Sequence, residues 1–88
     1  MEFIYPKHQA KVYIPLEMDG KKGEVVFEVA HRKPQSTIFW HLDDEYLGST
    51  THIHQKALIT SPGIHHIVLV DESGEMLEKW FEIVGKQE

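Results

Sequence analysis

The 88-residue sequence contains no cysteine, which excludes a disulfide framework and catalysis by a thiolate. It has a single arginine, Arg32, and nine basic residues against fourteen acidic ones, so its formal net charge is −5. Because a nucleic-acid surface needs clustered lysine and arginine, we expect no nucleic-acid partner. No apolar run approaches the length of a membrane span, and Met1 opens no signal segment. We therefore expect no direct membrane insertion by this segment.

Prolines and glycines divide the chain, at intervals of about ten residues, into segments too short for typical helices. Most segments are rich in the β-branched and aromatic residues that favour strands. The stretch 75–84 also contains helix formers, but Gly74 and the residues that follow favour a strand. About seven short antiparallel strands in one small domain, residues 1–88, predict an all-β, immunoglobulin-like β-sandwich. Residues 85–88 are expected to form a flexible tail.

Trp40 is the residue around which the predicted sandwich closes. Its neighbours two positions away along the strand, Ile38 and Leu42, are apolar, which places the indole in the core. In antibody domains a tryptophan at this place packs against a disulfide, and here Val29 and Ile67 occupy the two cysteine positions. An apolar pair can provide the same packing without a covalent bond.

The segment before Ile67 is similar to the tyrosine corner of immunoglobulin domains. It reads Gly63-Ile64-His65-His66, and His65 stands where that corner has its tyrosine, two positions before the bridge position. The difference weakens the match to true immunoglobulin domains and leaves the sandwich prediction unchanged.

Strand parity predicts an apolar surface on the outside of one sheet. If Phe81 and Ile83 point inward on the last strand, then Trp80, Glu82 and Val84 point outward. The third, sixth and last strands are neighbours in such a sandwich. Their outward side chains form a candidate interaction surface: Phe39, His41, His66, Val68, Val70, Trp80 and Val84. Apolar patches of this kind usually mark interaction sites, although lysine stems or the terminal segments are an alternative cover.

Several motifs together resemble the C-terminal domain family of bifunctional penicillin-binding protein 1C. The segment from Ile38 to Thr50 is similar to that family's W-x-L-D-G-x-x-L-G pattern, and the segment from Pro62 to Gly74 to its P-G-x-H-x-L-x-L-V-D-x-x-G pattern. The opening Ile4-Tyr5-Pro6 and the closing Phe81-Glu82-Ile83 also match. Asp44 stands where the family often has the glycine that a tight hairpin prefers.

The resemblance implies a β-sandwich appended to a peptidoglycan synthase that has glycosyltransferase and transpeptidase domains and an inner-membrane anchor. On this basis we expect a periplasmic, non-catalytic module that docks against other domains of the parent enzyme or a cell-wall synthesis partner, or regulates the enzyme. The alternative is a carbohydrate-binding module that stacks exposed aromatic residues on peptidoglycan.

The motifs of a penicillin-binding active site are absent from the sequence. No serine is followed three positions later by lysine, and the chain has no asparagine, so neither Ser-x-x-Lys nor Ser-x-Asn occurs. No serine stands in a Gly-x-Ser-x-Gly elbow either. We therefore expect that this segment by itself is not an enzyme and uses no cofactor.

Seven histidines are the unusual feature of the composition. His52 and His54 are expected on one face of a strand, about 7 Å apart, which makes them weak candidates for zinc ligands. A third ligand would have to come from His41 or Glu45. A polar strand face is the favoured explanation of the pair, so we expect no metal. A metal-dependent enzyme built on the pair is the remaining alternative.

Overall fold

The computed structural model describes residues 1–7, 11–14, 25–33, 35–58 and 61–85. These residues form eight strands: β1 (Glu2–Tyr5), β2 (Lys11–Ile14), β3 (Val25–Ala30), β4 (Ile38–Leu42), β5 (Glu45–Thr50), β6 (Gln55–Leu58), β7 (Gly63–Asp71) and β8 (Met76–Gly85). No part of the chain described here is helical, so these ranges provide no helix that could cross a membrane.

The strands form two sheets, one with the order β1-β3-β6 and the other with the order β2-β8-β7-β4-β5. This arrangement confirms the predicted all-β, immunoglobulin-like sandwich, with eight strands rather than about seven in the described ranges. One strand pair departs from the expected antiparallel pattern, because β2 runs parallel to β8. β8 is the last strand of the antiparallel series, and its free edge accepts β2.

The core lies between the two sheets and is centred on Trp40. The indole is fully buried, its Nε1 donates to Thr50 Oγ1 at 2.9 Å, and Val29 and Ile67 belong to the same buried cluster, as predicted. Aromatic side chains connect the sheets, since the Phe27 ring lies 5.0 Å from that of Phe81. A core of this kind fixes which side chains of β7 and β8 are left to point outward.

The last strand has the predicted parity. Phe81 and Ile83 are buried, whereas Trp80 on the opposite side of β8 is 62% exposed. The segment 75–84 is therefore a strand, and the helical alternative is wrong. Gly85, expected to begin a flexible tail, is the last residue of β8, and residues 86–88 lie outside the described ranges.

The turn between β4 and β5 consists of Asp43 and Asp44, which have positive φ angles of 51° and 69°. Two residues with positive φ are typical of the type I′ turn, whose twist matches that of a hairpin. Asp44 thus holds a left-handed conformation that glycine adopts more easily. The turn matters for the site, because it places the Asp43 carboxylate beside the start of β7.

Candidate interaction surface

The seven residues predicted to form an interaction surface lie on the side of the five-stranded sheet that faces away from the core. In the strand register His66 is opposite Trp80, Val68 opposite His41, and Val70 opposite Phe39. Trp80 is largely exposed, and the other six residues are partly buried. That this surface binds a partner remains a prediction.

Four further large side chains on the same side were not predicted: Tyr13, Tyr46, Ile64 and Met76, with exposed fractions between 56% and 70%. Ile64 and Met76 share the parity of His66 and Trp80, so the same counting could have found them. Parity alone could not place Tyr13 on this side, because its position depends on the parallel pairing of β2 with β8. It could not place Tyr46 there either, because that position depends on the register shift between Trp40 and His41. We call these four residues and the seven predicted ones the outer face.

Trp80 does not stand alone on the outer face. Its ring is parallel to that of His66, with an angle of 8° between the planes and 4.1 Å between the centroids. The His66 ring also contacts Glu78, whose Oε1 atom lies 2.6 Å from His66 Nε2. The two rings belong to adjacent strands and meet face to face.

His41 is the second polar group of the outer face. Its ring lies 5.4 Å from that of Tyr46, at an angle of 51°. The Nδ1 atom of His41 is buried and has no hydrogen-bond partner within the described ranges. A buried polar atom without a partner costs about 1–3 kcal/mol.

His65 uses both ring nitrogens at the end of the outer face. Nδ1 lies 2.5 Å from Asp43 Oδ2, and Nε2 lies 2.7 Å from the carbonyl oxygen of Ser61. Both partners are acceptors, so both nitrogens must donate and the ring is positively charged. Burial alone would lower the pKa of His65, but its hydrogen bonds to Asp43 and Ser61 and the charge of Asp43 raise it.

The Asp43 carboxylate is held in its charged form by the same contacts. Its second oxygen, Oδ1, accepts the backbone N–H of His66 at 2.9 Å. Burial raises the pKa of Asp43, but the hydrogen bonds from His65 and His66 and the charges of both rings lower it below the usual value. The pair is therefore an ion pair between the β4–β5 turn and β7.

A second histidine–aspartate pair lies at the other end of β7. His31 Nε2 is 2.8 Å from Asp71 Oδ2, and the backbone N–H of Lys33 donates to His31 Nδ1 at 2.8 Å. Since Nδ1 accepts, the proton is on Nε2 and the ring is neutral. The donation from His31, followed by those from Ser73 and Glu75, holds the pKa of Asp71 well below its usual range.

His31, Asp71 and Glu75 line a cleft of about 560 Å³, and one ligand atom from each lies within 4.8 Å of the others. A metal bound through Nε2 of His31 would need a lone pair on that nitrogen, while the Lys33 N–H already uses the lone pair of Nδ1. Neutral imidazole has only one such lone pair, and metal-bound histidines normally donate from their second nitrogen. The group is therefore unsuited to a metal in this conformation.

His52 and His54 do not share a strand face, and that expectation is wrong. β6 begins only at Gln55, because residues 51–53 form a bend in which His52 has a φ of 74°. His54 is buried, and its Nδ1 lies 2.8 Å from Thr50 Oγ1. The sequence predicts this strand over residues 53–60, of which residues 59 and 60 lie outside the described ranges.

Comparisons with known proteins agree with this description. Among solved structures, the fibronectin(III)-like modules of Clostridium thermocellum CbhA include a chain with a TM-score of 0.66, which covers 98% of this chain and 95% of its own length. At 14% sequence identity this likeness concerns the fold alone. No curated protein matches the chain significantly. The family model of the penicillin-binding protein C-terminus family matches residues 1–81, and the chain belongs to that family.

Proposed function

We propose that the chain is a non-catalytic accessory module of a periplasmic peptidoglycan synthase, and that its outer face docks against another domain of that enzyme or a cell-wall synthesis partner. The observation that carries the proposal is the group of large exposed side chains on the outer face, with Trp80 among them, beside the outward Glu78 and Glu82 of β8. Membership of a penicillin-binding protein C-terminal family supports the place of the module in a larger enzyme.

Trp80 has the properties of a binding hot spot. Tryptophan dominates the energetics of many protein interfaces when it sits in the centre of a patch that excludes water. Beside Trp80 the outer face supplies the partly buried His66 and Val68 of β7, and Glu78 and Glu82 flank the indole along β8.

The orientation of the indole favours protein docking over sugar stacking. A carbohydrate platform presents the open face of an aromatic ring to the sugar. Here the His66 ring stacks on one face of the Trp80 ring. That face of the indole is therefore not open to a sugar.

The hydrogen bonds of the polar groups support a non-catalytic role. The Ser73 hydroxyl donates to Asp71 Oδ1 at 2.8 Å, but this carboxylate also accepts from His31 and Glu75. The resulting low pKa makes Asp71 a poor base, so it does not activate the serine. His65 donates from both nitrogens and thus has no lone pair with which to accept a proton.

The test is binding of the purified chain to the remaining domains of its parent penicillin-binding protein by calorimetry. Trp80→Ser should weaken binding about 30-fold, because a hot-spot truncation costs about 2 kcal/mol. The matched control is Ile53→Ser, which removes a similarly exposed apolar side chain away from the outer face and should bind normally.

Equal binding by Trp80→Ser and the unaltered chain would overturn the proposal, as would a lack of binding by the unaltered chain to these domains and to cell-wall synthesis proteins. Retention on isolated peptidoglycan that is lost with Trp80→Ser would replace docking by the carbohydrate alternative. In both experiments the folded state of each variant is checked by its urea midpoint.

A further inference from the structure

We propose that His65 and Asp43 form a charged latch that holds one end of the outer face in place and makes docking depend on pH. The latch itself follows from the contacts of the two side chains. Its regulatory consequence rests on the docking function proposed above, so the experiments below treat the two separately.

The geometry of the latch requires a positive ring. A neutral His65 would turn a lone pair towards either the carboxylate of Asp43 or the carbonyl oxygen of Ser61, and both are acceptors. Loss of the proton would therefore break one of the two contacts that the buried His65 ring makes. His65 performs the task of the corner tyrosine, which bonds to the backbone a few residues upstream, but with a group that titrates.

The groups that face the latch come from three parts of the fold. The charge acting on His65 is that of Asp43 in the β4–β5 turn. From β8, the Phe81 ring lies 5.8 Å away and contributes no charge. His66 of β7 faces Asp43 and, when protonated, also favours its charged form. Protonation of either histidine thus strengthens the latch through the same carboxylate.

The latch is joined to the outer face through His66. Asp43 accepts the backbone N–H of His66 at Oδ1 and donates its own N–H to the carbonyl oxygen of His66 at 2.8 Å. The His66 ring in turn stacks on Trp80. A displacement of the β4–β5 turn would therefore disturb the backbone that positions the Trp80 stack.

The pH range in which the latch is complete follows from the raised pKa of His65 and the lowered pKa of Asp43. The raised pKa of His65 gives a stabilisation that is full below the unfolded value of about 6.5 and is lost as the pH rises through the folded value. The lowered pKa of Asp43 gives a stabilisation that is present above about 3.9 and is lost as the pH falls through its folded value. The latch is thus complete between about pH 4 and 6.5 and opens on the alkaline side.

The latch is tested with His65→Tyr, which supplies a neutral hydroxyl to the Ser61 carbonyl as in a tyrosine corner. Urea unfolding of the full chain is measured from pH 5.5 to 9. Above pH 6.5 the folded-to-unfolded ratio of the unaltered chain should fall relative to His65→Tyr, by at most tenfold per pH unit, the limit for one proton. The exposed His52→Gln is the control and should keep the original pH profile.

A second variant keeps the test decisive if His65→Tyr does not fold. Asp43→Asn removes the charge opposite His65 with little change in size, and it should likewise flatten the alkaline slope. Parallel profiles for the unaltered chain and the foldable variant would overturn the latch. So would a ¹⁵N spectrum of the histidine rings at pH 6 in which His65 has an unprotonated nitrogen.

The regulatory part is tested by measuring binding to the parent enzyme's other domains at the same pH values. Affinity should fall between pH 6.5 and 9 for the unaltered chain and stay constant for His65→Tyr. Constant affinity in both would overturn the regulation and leave docking intact. No binding at any pH would overturn docking and regulation together, while the unfolding profile would still decide the latch.

Discussion

Two histidine–aspartate pairs lie near the two ends of β7, and their rings carry different charges. His31 donates to Asp71, and His65 donates to Asp43, at similar distances. At His31 the second ring nitrogen accepts a backbone N–H, so the ring is neutral. At His65 the second nitrogen faces a carbonyl oxygen, so the ring is positive.

In both pairs the carboxylate is the same kind of acceptor, so the charge of the ring is decided by the backbone group at its second nitrogen. This group is the N–H of Lys33 for His31 and the carbonyl oxygen of Ser61 for His65. The neutral pair at Asp71 is fastened by backbone donors and closes the turn between β7 and β8. The charged pair at Asp43 lies beside the outer face, and its hydrogen bonds raise the pKa of His65.

The largest expected effect comes from breaking the neutral pair at its carboxylate. Asp71→Ala removes the acceptor of His31 and of three further donors, from Ser73 and Glu75, at a buried carboxylate. We expect the melting temperature to fall on the order of 10 °C, because several hydrogen bonds to this one carboxylate are lost together. Calorimetric melting at pH 7 measures this.

The control for that change is Glu75→Ala. This exposed carboxylate shares the turn, and its side chain contacts only the amino terminus of Met1 among the described partners. A shift of at most a few degrees is expected. Equal losses for Asp71→Ala and Glu75→Ala would mean that the buried hydrogen bonds do not fasten the turn.

An intermediate effect is expected when the neutral ring is replaced by another neutral donor. His31→Gln keeps an N–H that can reach Asp71, so the loss should be about 1 kcal/mol at every pH from 5.5 to 9. Urea unfolding across this range should give a profile parallel to that of the unaltered chain. A flattened profile for His31→Gln would show that His31, rather than His65, carries the pH-dependent charge.

The smallest expected effect concerns the turn that carries the charged pair. Asp44→Gly should raise the free energy of unfolding by about 0.5 kcal/mol, because Asp44 holds a φ of 69° that glycine adopts without a steric cost. The pH profile should not change, since Asp43 stays in place. Glu45→Gly, a glycine introduced into β5, is the control and should instead lower stability.

Much of the fold could be predicted from the sequence because its signals are local. Alternation with a period of two assigned Phe81 inward and Trp80 outward, and Trp40 marked the core. The parallel pairing of β2 with β8 could not be predicted, because these strands are distant in sequence and β2 is only four residues long. The bend at 51–53 was missed because His52, with its positive φ, is not a residue that announces a turn.

The same distinction between local signals and long-range contacts applies to the candidate site. Parity found the seven predicted residues of the outer face but missed Tyr46, which a register shift between Trp40 and His41 places there. The two histidine–aspartate pairs join residues 22 and 40 positions apart, so no local spacing reveals them. Their charges depend in addition on backbone partners, which side-chain patterns do not encode.

The most direct test of the account is to map the contact surface of the ¹⁵N-labelled chain by NMR when the remaining domains of the parent enzyme are added at pH 6. We expect the chemical shifts of the Trp80 indole, His66 and Val68 to change most. Those of His31 and Asp71, at the other end of β7, should not change. Changes centred on the His31–Asp71 cleft, with an unaffected Trp80 indole, would contradict it.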